Sequence, residues 1–220
     1  MLERRAPVVS WGATCMLGSI VVAAATSYAE VTVVPRIALR LPLELPVPEA
    51  FDVSAPETWP EVTGRLEFVD GRLEYMPPCG EIQQRTAVDV LTELNLWRRE
   101  RPGFAVGGNE AGMLLGGEVR AADAAVWCAS PASNGFARTA PLLAVEVAGV
   151  DDTVDLLRGK ARWYLDHGVP TVWIVVPNVR RVMVLTREGE TEWAEEATLP
   201  EPIGLDGLSP LVASFFRQLG

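Results

Sequence analysis

Histidine occurs once in these 220 residues, lysine once and cysteine three times. A single His167 leaves Ser-His-Asp chemistry one possible base, and no GxSxG elbow accompanies it, so that hydrolase class is excluded. Cys15, Cys79 and Cys128 show no ligand spacing and no CxxC or Cys-His pairing, which argues against a structural zinc site. An odd count without a framework fits free thiols in a reducing compartment. Gly107-Gly108 is followed by no GK[ST], so it reads as a turn rather than a phosphate loop, and nothing calls for an organic cofactor. Internal repeats and low-complexity blocks are absent as well.

Positive charge is scarce. With 19 Lys+Arg against 29 Asp+Glu the chain carries −10 at pH 7. That balance argues against broad electrostatic binding to nucleic acid, which uses a basic face. A local basic groove would draw on Arg85, Arg98, Arg99, Arg101 and Arg120. Hydrophobic content of 49% and charged content of 22% suit a folded protein with one good core.

The amino terminus has another character. Arg4 and Arg5 precede the uncharged stretch from Ala6 to Ala29, which closes on Ser27-Tyr28-Ala29. This is the shape of an export signal with a small-residue cleavage site; a start codon placed too far upstream is the plain alternative. Gly12, Thr14, Gly18, Ser19, Thr26 and Ser27 dilute it, so a stable membrane span is the weakest option. Pro35, Pro42, Pro46 and Pro48 then break any helix. The expected organisation is a signal-like or disordered apolar tail over 1–29, a Pro-rich linker over 30–55 and one domain over 56–216.

Within the domain, Leu66-Glu67-Phe68-Val69 and Arg72-Leu73-Glu74-Tyr75-Met76 flank Asp70-Gly71, the signature of a hairpin with a two-residue turn. From Glu81 to Arg99, Ile82, Ala87, Val88, Leu91, Leu94 and Leu96 recur at helical spacing, and Pro102-Gly103 ends the run. Gly107-Gly108 and Gly116-Gly117 read as turns in a strand region. Apolar strands follow around Asp123 and Glu146. Asp151-Asp152-Thr153 can cap a helix that runs to His167 and stops at Gly168. Thr171 to Val176 and Val182 to Thr186 make a second hairpin around Pro177-Asn178. These elements predict an α+β fold, a mixed β-sheet flanked by helices with an N-terminal β-hairpin.

The chemistry concentrates in three residues. Asp123 interrupts Ala121-Ala122-Asp123-Ala124-Ala125-Val126, and Glu146 interrupts Leu142-Leu143-Ala144-Val145-Glu146-Val147. A carboxylate in a buried strand costs several kcal/mol unless something pairs with it. Lys160 stands 14 residues beyond Glu146, on a helix face with Leu156, Leu157 and Tyr164, which aims it at the sheet. Two carboxylates suit Mg²⁺, a hard cation that keeps several waters, and Mn²⁺ could substitute. A lysine beside them could orient water or stabilise charge on a phosphate. The plain alternatives are a snorkelling surface lysine, strand acids paired with Arg120 or Arg158, and His167 as a cation at a helix C-terminus. Glu67 and Glu74 read as solvated hairpin residues, with Glu67 as a possible accessory at the site.

Four segments in order resemble the Uma-two family of restriction-endonuclease-like proteins. These are the hairpin Leu66 to Pro78, Val119-Arg120-Ala121-Ala122-Asp123, Leu143-Ala144-Val145-Glu146-Val147, and Lys160 to Tyr164 continuing through His167-Gly168-Val169-Pro170-Thr171-Val172-Trp173-Ile174-Val175. The resemblance implies a restriction-endonuclease-like core of the PD-(D/E)XK superfamily, in which an Asp, a Glu and a Lys surround magnesium. Asp123 and Glu146 match the acids. Ala148 holds the usual lysine place, so the resemblance implies that its function has moved to Lys160. Ala122, Ile82, Val176 and Ala148-Gly149-Val150 depart from the family pattern, which keeps an inactive descendant in play.

The expected function is Mg²⁺-dependent endonucleolytic hydrolysis of DNA, with Asp123, Glu146 and Lys160 catalytic and the two acids as metal ligands. The alternatives are an inactive nuclease-fold module that binds nucleic acid or protein, and an exported or membrane-tethered binding protein. DNA is the expected partner. A homodimer is a further expectation, with Trp97 and Phe215-Phe216 available either to an interface or to the core. The family favours a cytoplasmic location, whereas residues 1–29 leave export open.

Overall fold

Alternation and turn chemistry build a nine-stranded mixed sheet, seen in a computed structural model. The structure describes Ser19–Val22, Thr32–Pro35 and residues 41–220, except Asp151 and the side chain of Asn109. The chain divides into two units, Met1–Arg40 and Leu41–Gly220. In the first, β1 (Ser19–Val22) pairs antiparallel with β2 (Thr32–Pro35). The remainder of the signal-like tail expected over 1–29 lies outside the described residues.

The second unit opens with β3 (Leu43–Leu45), which pairs antiparallel with the strand Arg72–Met76. The sheet therefore reaches into the proline-rich stretch expected to be linker. Strands β4 (Arg65–Val69) and β5 (Arg72–Met76) form the expected hairpin. Its turn residues Asp70 and Gly71 both take positive φ, 50° and 76°, as a two-residue turn of matching twist requires. Next come α1 (Glu81–Arg98), β6 (Phe104–Leu115), β7 (Glu118–Cys128), β8 (Leu143–Val147), α2 (Val154–Asp166), β9 (Thr171–Val176), β10 (Arg181–Thr186) and β11 (Gly189–Ala194). Strands β8 and β9 run parallel across α2, and the other pairs of this sheet are antiparallel. The result is a mixed α/β fold with a central sheet flanked by helices.

Each face of the sheet carries its own core. Leu143, Val145 and Val147 of β8 face α1 and the C-terminal segment, packing with Leu94, Trp173 and Phe215. Ala144 on the same strand faces α2 with Leu157, Ala161 and Tyr164. Glu146 follows Ala144 by two and so belongs to the α2 face.

Two expectations change. Gly107-Gly108 is no turn; it lies within β6, just before a bulge at Asn109-Glu110 where Glu110 takes φ 61°. The buried stripe of α1 is Thr86, Asp89, Val90, Leu94 and Trp97, while Ile82, Val88 and Leu96 are exposed. Periodicity missed this stripe because it includes a threonine and excludes apolar residues. The C-terminal segment also covers α1, with Asp89 accepting from the backbone N–H and side-chain amide of Gln218. Of the two roles open to Trp97, Phe215 and Phe216, the core is the one observed, since all three are buried.

Candidate functional site

The site lies where the sheet forks. Strand β6 follows one edge of β7 along most of its length. The other edge is shared: β4 meets it at Phe68–Val119, and β8 takes over only from Ala124. Between these points no strand among the described residues pairs with the β7 edge. Buried backbone groups must still be satisfied, and here side chains do it. Glu67 Oε1 accepts from the Ala121 N–H at 3.2 Å, and Lys160 Nζ donates to the Ala121 carbonyl at 2.7 Å. On the facing strand, the Val147 N–H donates to Asp123 Oδ2 at 2.7 Å, and Gln83 Nε2 donates to the Val147 carbonyl at 3.0 Å.

The fork thus brings Asp123, Glu146, Lys160 and Glu67 into one buried cluster. Lys160 arrives from α2, whose N-cap Thr153 accepts from the Leu156 N–H and whose chain turns off at Gly168 with φ 94°. Its side chain is 12% exposed, so it is not a surface residue. Besides Ala121, Nζ reaches Glu67 Oε1 at 2.8 Å and Glu146 Oε1 at 3.0 Å. An ammonium has three donors, and all three meet protein acceptors. Tyr164, one helical turn on, donates its hydroxyl to Glu146 Oε1 at 2.7 Å. The small Ala122 and Ala125 of β7 pack with Leu157, Ala161 and Tyr164 of α2 and leave room for the helix to lie this close.

Expected pairings with Arg120 and Arg158 do not form. Arg120 holds Glu118 and lies over the Trp163 ring, and Arg158 holds Asp155 and Glu190. Arg65 stands beside the acids instead, its guanidinium 3.6 Å from Glu67 and 4.0 Å from Asp123. Glu67 is buried rather than solvated, because β4 turns Arg65, Glu67 and Val69 toward the cluster. Glu74 on β5 is half-buried. His167 caps α2, its Nδ1 donating to the Trp163 carbonyl.

Burial and neighbours set the protonation balance. Burial pushes the Glu146 carboxyl up to about 7; Lys160 pulls it back, and Asp123 raises it further. Burial also raises Asp123, against the Val147 N–H and the charges of Lys160 and Arg65. For Glu67 burial is outweighed by Lys160 and Arg65, which hold it below the usual carboxylate range. For Lys160 burial is outweighed by Glu146 and Glu67, so it stays charged. Three buried carboxylates face two buried cations, and the arrangement is short of positive charge.

A cavity of about 410 Å³ opens on the cluster, with Arg65, Glu67, Arg120, Glu146 and Lys160 in its wall. Of the five arginines considered for a basic groove only Arg120 reaches it. Arg85 pairs with Glu81 at the start of α1, and Arg98 and Arg101 are engaged at its far end. Among the described residues, no three His, Cys, Asp or Glu side chains converge as a metal cage.

Arg65, Gln83 and Glu110 escaped the sequence reading. For Arg65 a signal existed: it lies two residues before Glu67 on an alternating strand, hence on the same face. Gln83 had none, since a polar residue in a first helical turn is ordinary. Glu110 enters through the bulge, near enough to Asp123 and Glu67 for their charges to add to burial in raising its carboxyl.

Comparison with known proteins agrees with this architecture. Residues 55–215 match the Uma2 family, described as "Putative restriction endonuclease". The fold is similar to the crystal structure of a protein from Anabaena variabilis described as a putative nuclease belonging to DUF820. The TM-score is 0.66 and the identity 17%, over 74% of this chain and 96% of that one. No curated protein matches significantly.

Proposed function

Since the chain belongs to the Uma2 family, we propose that it is a divalent-metal-dependent endonuclease hydrolysing DNA phosphodiester bonds. In this reading β6, β7, β8, α2 and β9 are a restriction-endonuclease-like core. The observation that carries it is the convergence of Asp123, Glu146 and the only lysine at the sheet fork.

The donor set suits Mg²⁺ or Mn²⁺. It is all oxygen, it lacks positive charge, and Mg²⁺ needs only one or two carboxylates beside water and phosphate. Asp123 and Glu146 would hold the ion, which when bound neutralises phosphate charge and acidifies water. The Val147 N–H fixes the Asp123 carboxylate, and Tyr164 fixes that of Glu146. Lys160 is held charged beside them. With Glu146 engaged by such an ion, Lys160 would have a donor free for a phosphate oxygen or a water, and its ammonium would oppose the negative charge that builds up in the transition state.

A second reading is a silent module of this fold that binds nucleic acid or protein. The full occupation of the Lys160 donors by Glu67, Ala121 and Glu146 favours it. Cleavage of single- and double-stranded DNA with Mg²⁺ and Mn²⁺, by wild type and Lys160→Ala, separates the two. The nuclease reading expects cleavage by wild type and its loss in a folded variant. Absence of cleavage by wild type would leave the silent module.

A further inference from the structure

Among the described residues, Arg65 is the cation of the site that makes no hydrogen bond. Its side chain is 15% exposed, and its Nε is enclosed with no acceptor among the described residues. The nearest carboxylates stand at 3.6 Å and 4.0 Å, within ion-pair range but too far for hydrogen bonds. A guanidinium carries five donors in a rigid planar fork. Enclosing the Nε–H with no acceptor is costly. Lys160, on the same cavity wall, has by contrast spent all of its donors on the protein.

We propose that Arg65 is the phosphate-binding residue of this site, its fork taking the non-bridging oxygens of a phosphodiester beside Asp123 and Glu146. This rests on the nuclease reading above and names how the substrate is held. Arg65 lines the cavity from β4, whose backbone is held along β5 from Arg65 to Val69 and meets β7 at Phe68. Two parallel N–H···O bonds to a phosphate match its geometry, which a lysine cannot reproduce. The neighbouring carboxylates repel an anion, so phosphate binding at Arg65 depends on a cation at Asp123 and Glu146.

The test uses the full chain with Ca²⁺, which supports binding while turnover is suppressed. Anisotropy of a labelled single-stranded oligonucleotide compares wild type, Arg65→Ala and Arg65→Lys. Thermal melting with inorganic phosphate provides a second probe, and Mn²⁺ calorimetry without DNA a third. Both variants should bind the oligonucleotide roughly 10- to 100-fold more weakly, as loss of charged hydrogen bonds predicts. Their Mn²⁺ affinity should be unchanged or tighter, since a cation next to the carboxylates has gone or lost its fit. If Arg65→Ala does not fold, Arg65→Lys carries the comparison. Oligonucleotide affinity equal to wild type would overturn the proposal, and so would Mn²⁺ affinity falling in step with it. Should wild type bind no oligonucleotide yet be stabilised by phosphate only when Arg65 is present, the anion site stands and the DNA reading falls. Failure of both probes would overturn the two together.

Discussion

The hydroxyl of Tyr164 and Oε1 of Glu146, 2.7 Å apart, tie the helix on one face of the sheet to a carboxylate in its centre. Both residues are buried, and the bond is the only one the phenol makes among the described residues. A phenol donating to a carboxylate favours the ionised acid.

Replacing Tyr164 by phenylalanine keeps the packing against Ala161 and Leu157 and removes that donor alone. The variant should lose about 1–2 kcal/mol, measured by urea unfolding at neutral pH without metal. The loss should shrink toward pH 5, where Glu146 is protonated and needs the donor less. An unchanged denaturation midpoint at neutral pH would show that the hydroxyl does not hold Glu146.

Much of this was legible in the sequence. The Asp-Gly hairpin, the strands around Asp123 and Glu146, and α2 with its Thr153 cap follow from local chemistry that the fold does not override. Lys160 could be placed facing the sheet because Leu157 and Tyr164 share its side of the helix. Long-range pairing was not legible. No local pattern says that β4 and β8 divide one edge of β7, and that division turns Glu67 and Arg65 inward. Nor does periodicity mark Thr86 and Asp89 as the buried side of α1, since Gln218, far along the chain, decides it.

The raised Glu146 carboxyl makes stability depend on pH in a definite sense. Its folded value of about 7 exceeds the ordinary 4.5, so the native state binds a proton that the unfolded chain releases. That contribution is complete below pH 4.5 and is lost as pH rises through 7. Glu146→Gln removes the titration. The variant's stability relative to wild type should therefore rise between pH 5 and pH 8 in EDTA, by roughly 2 kcal/mol. Urea midpoints at the two pH values check it; a constant difference between variant and wild type would mean that Glu146 does not titrate in this range.

Gly116 and Gly117 form the turn between β6 and β7 with φ of 59° and 88°. A methyl group at Gly117 meets nothing within 4 Å, whereas at Gly116 it would strike the His167 imidazole. That ring is stacked on Trp163 at 4.2 Å and donates to the Trp163 carbonyl at 2.8 Å, so it cannot yield cheaply. Gly117→Ala should therefore cost only the left-handed strain, about 1 kcal/mol, and Gly116→Ala about 2–3 kcal/mol. Thermal melting of the pair gives the comparison, and equal costs would place the imidazole elsewhere.

Asp123 offers the sharpest separation of structure from metal chemistry. Asparagine keeps an oxygen for the Val147 N–H, which Asp123 Oδ2 accepts at 2.7 Å, and removes the charge that a hard cation requires. Burial already holds this carboxyl above its ordinary value, so the charge opposes folding near neutral pH and its loss should leave melting unchanged or raised. Mn²⁺ affinity should fall at least about tenfold. Thermal melting and calorimetric Mn²⁺ titration of Asp123→Asn against wild type measure the two effects. Retained Mn²⁺ binding would move the metal site away from Asp123, while a destabilised variant would show that the carboxylate is needed by the fold itself.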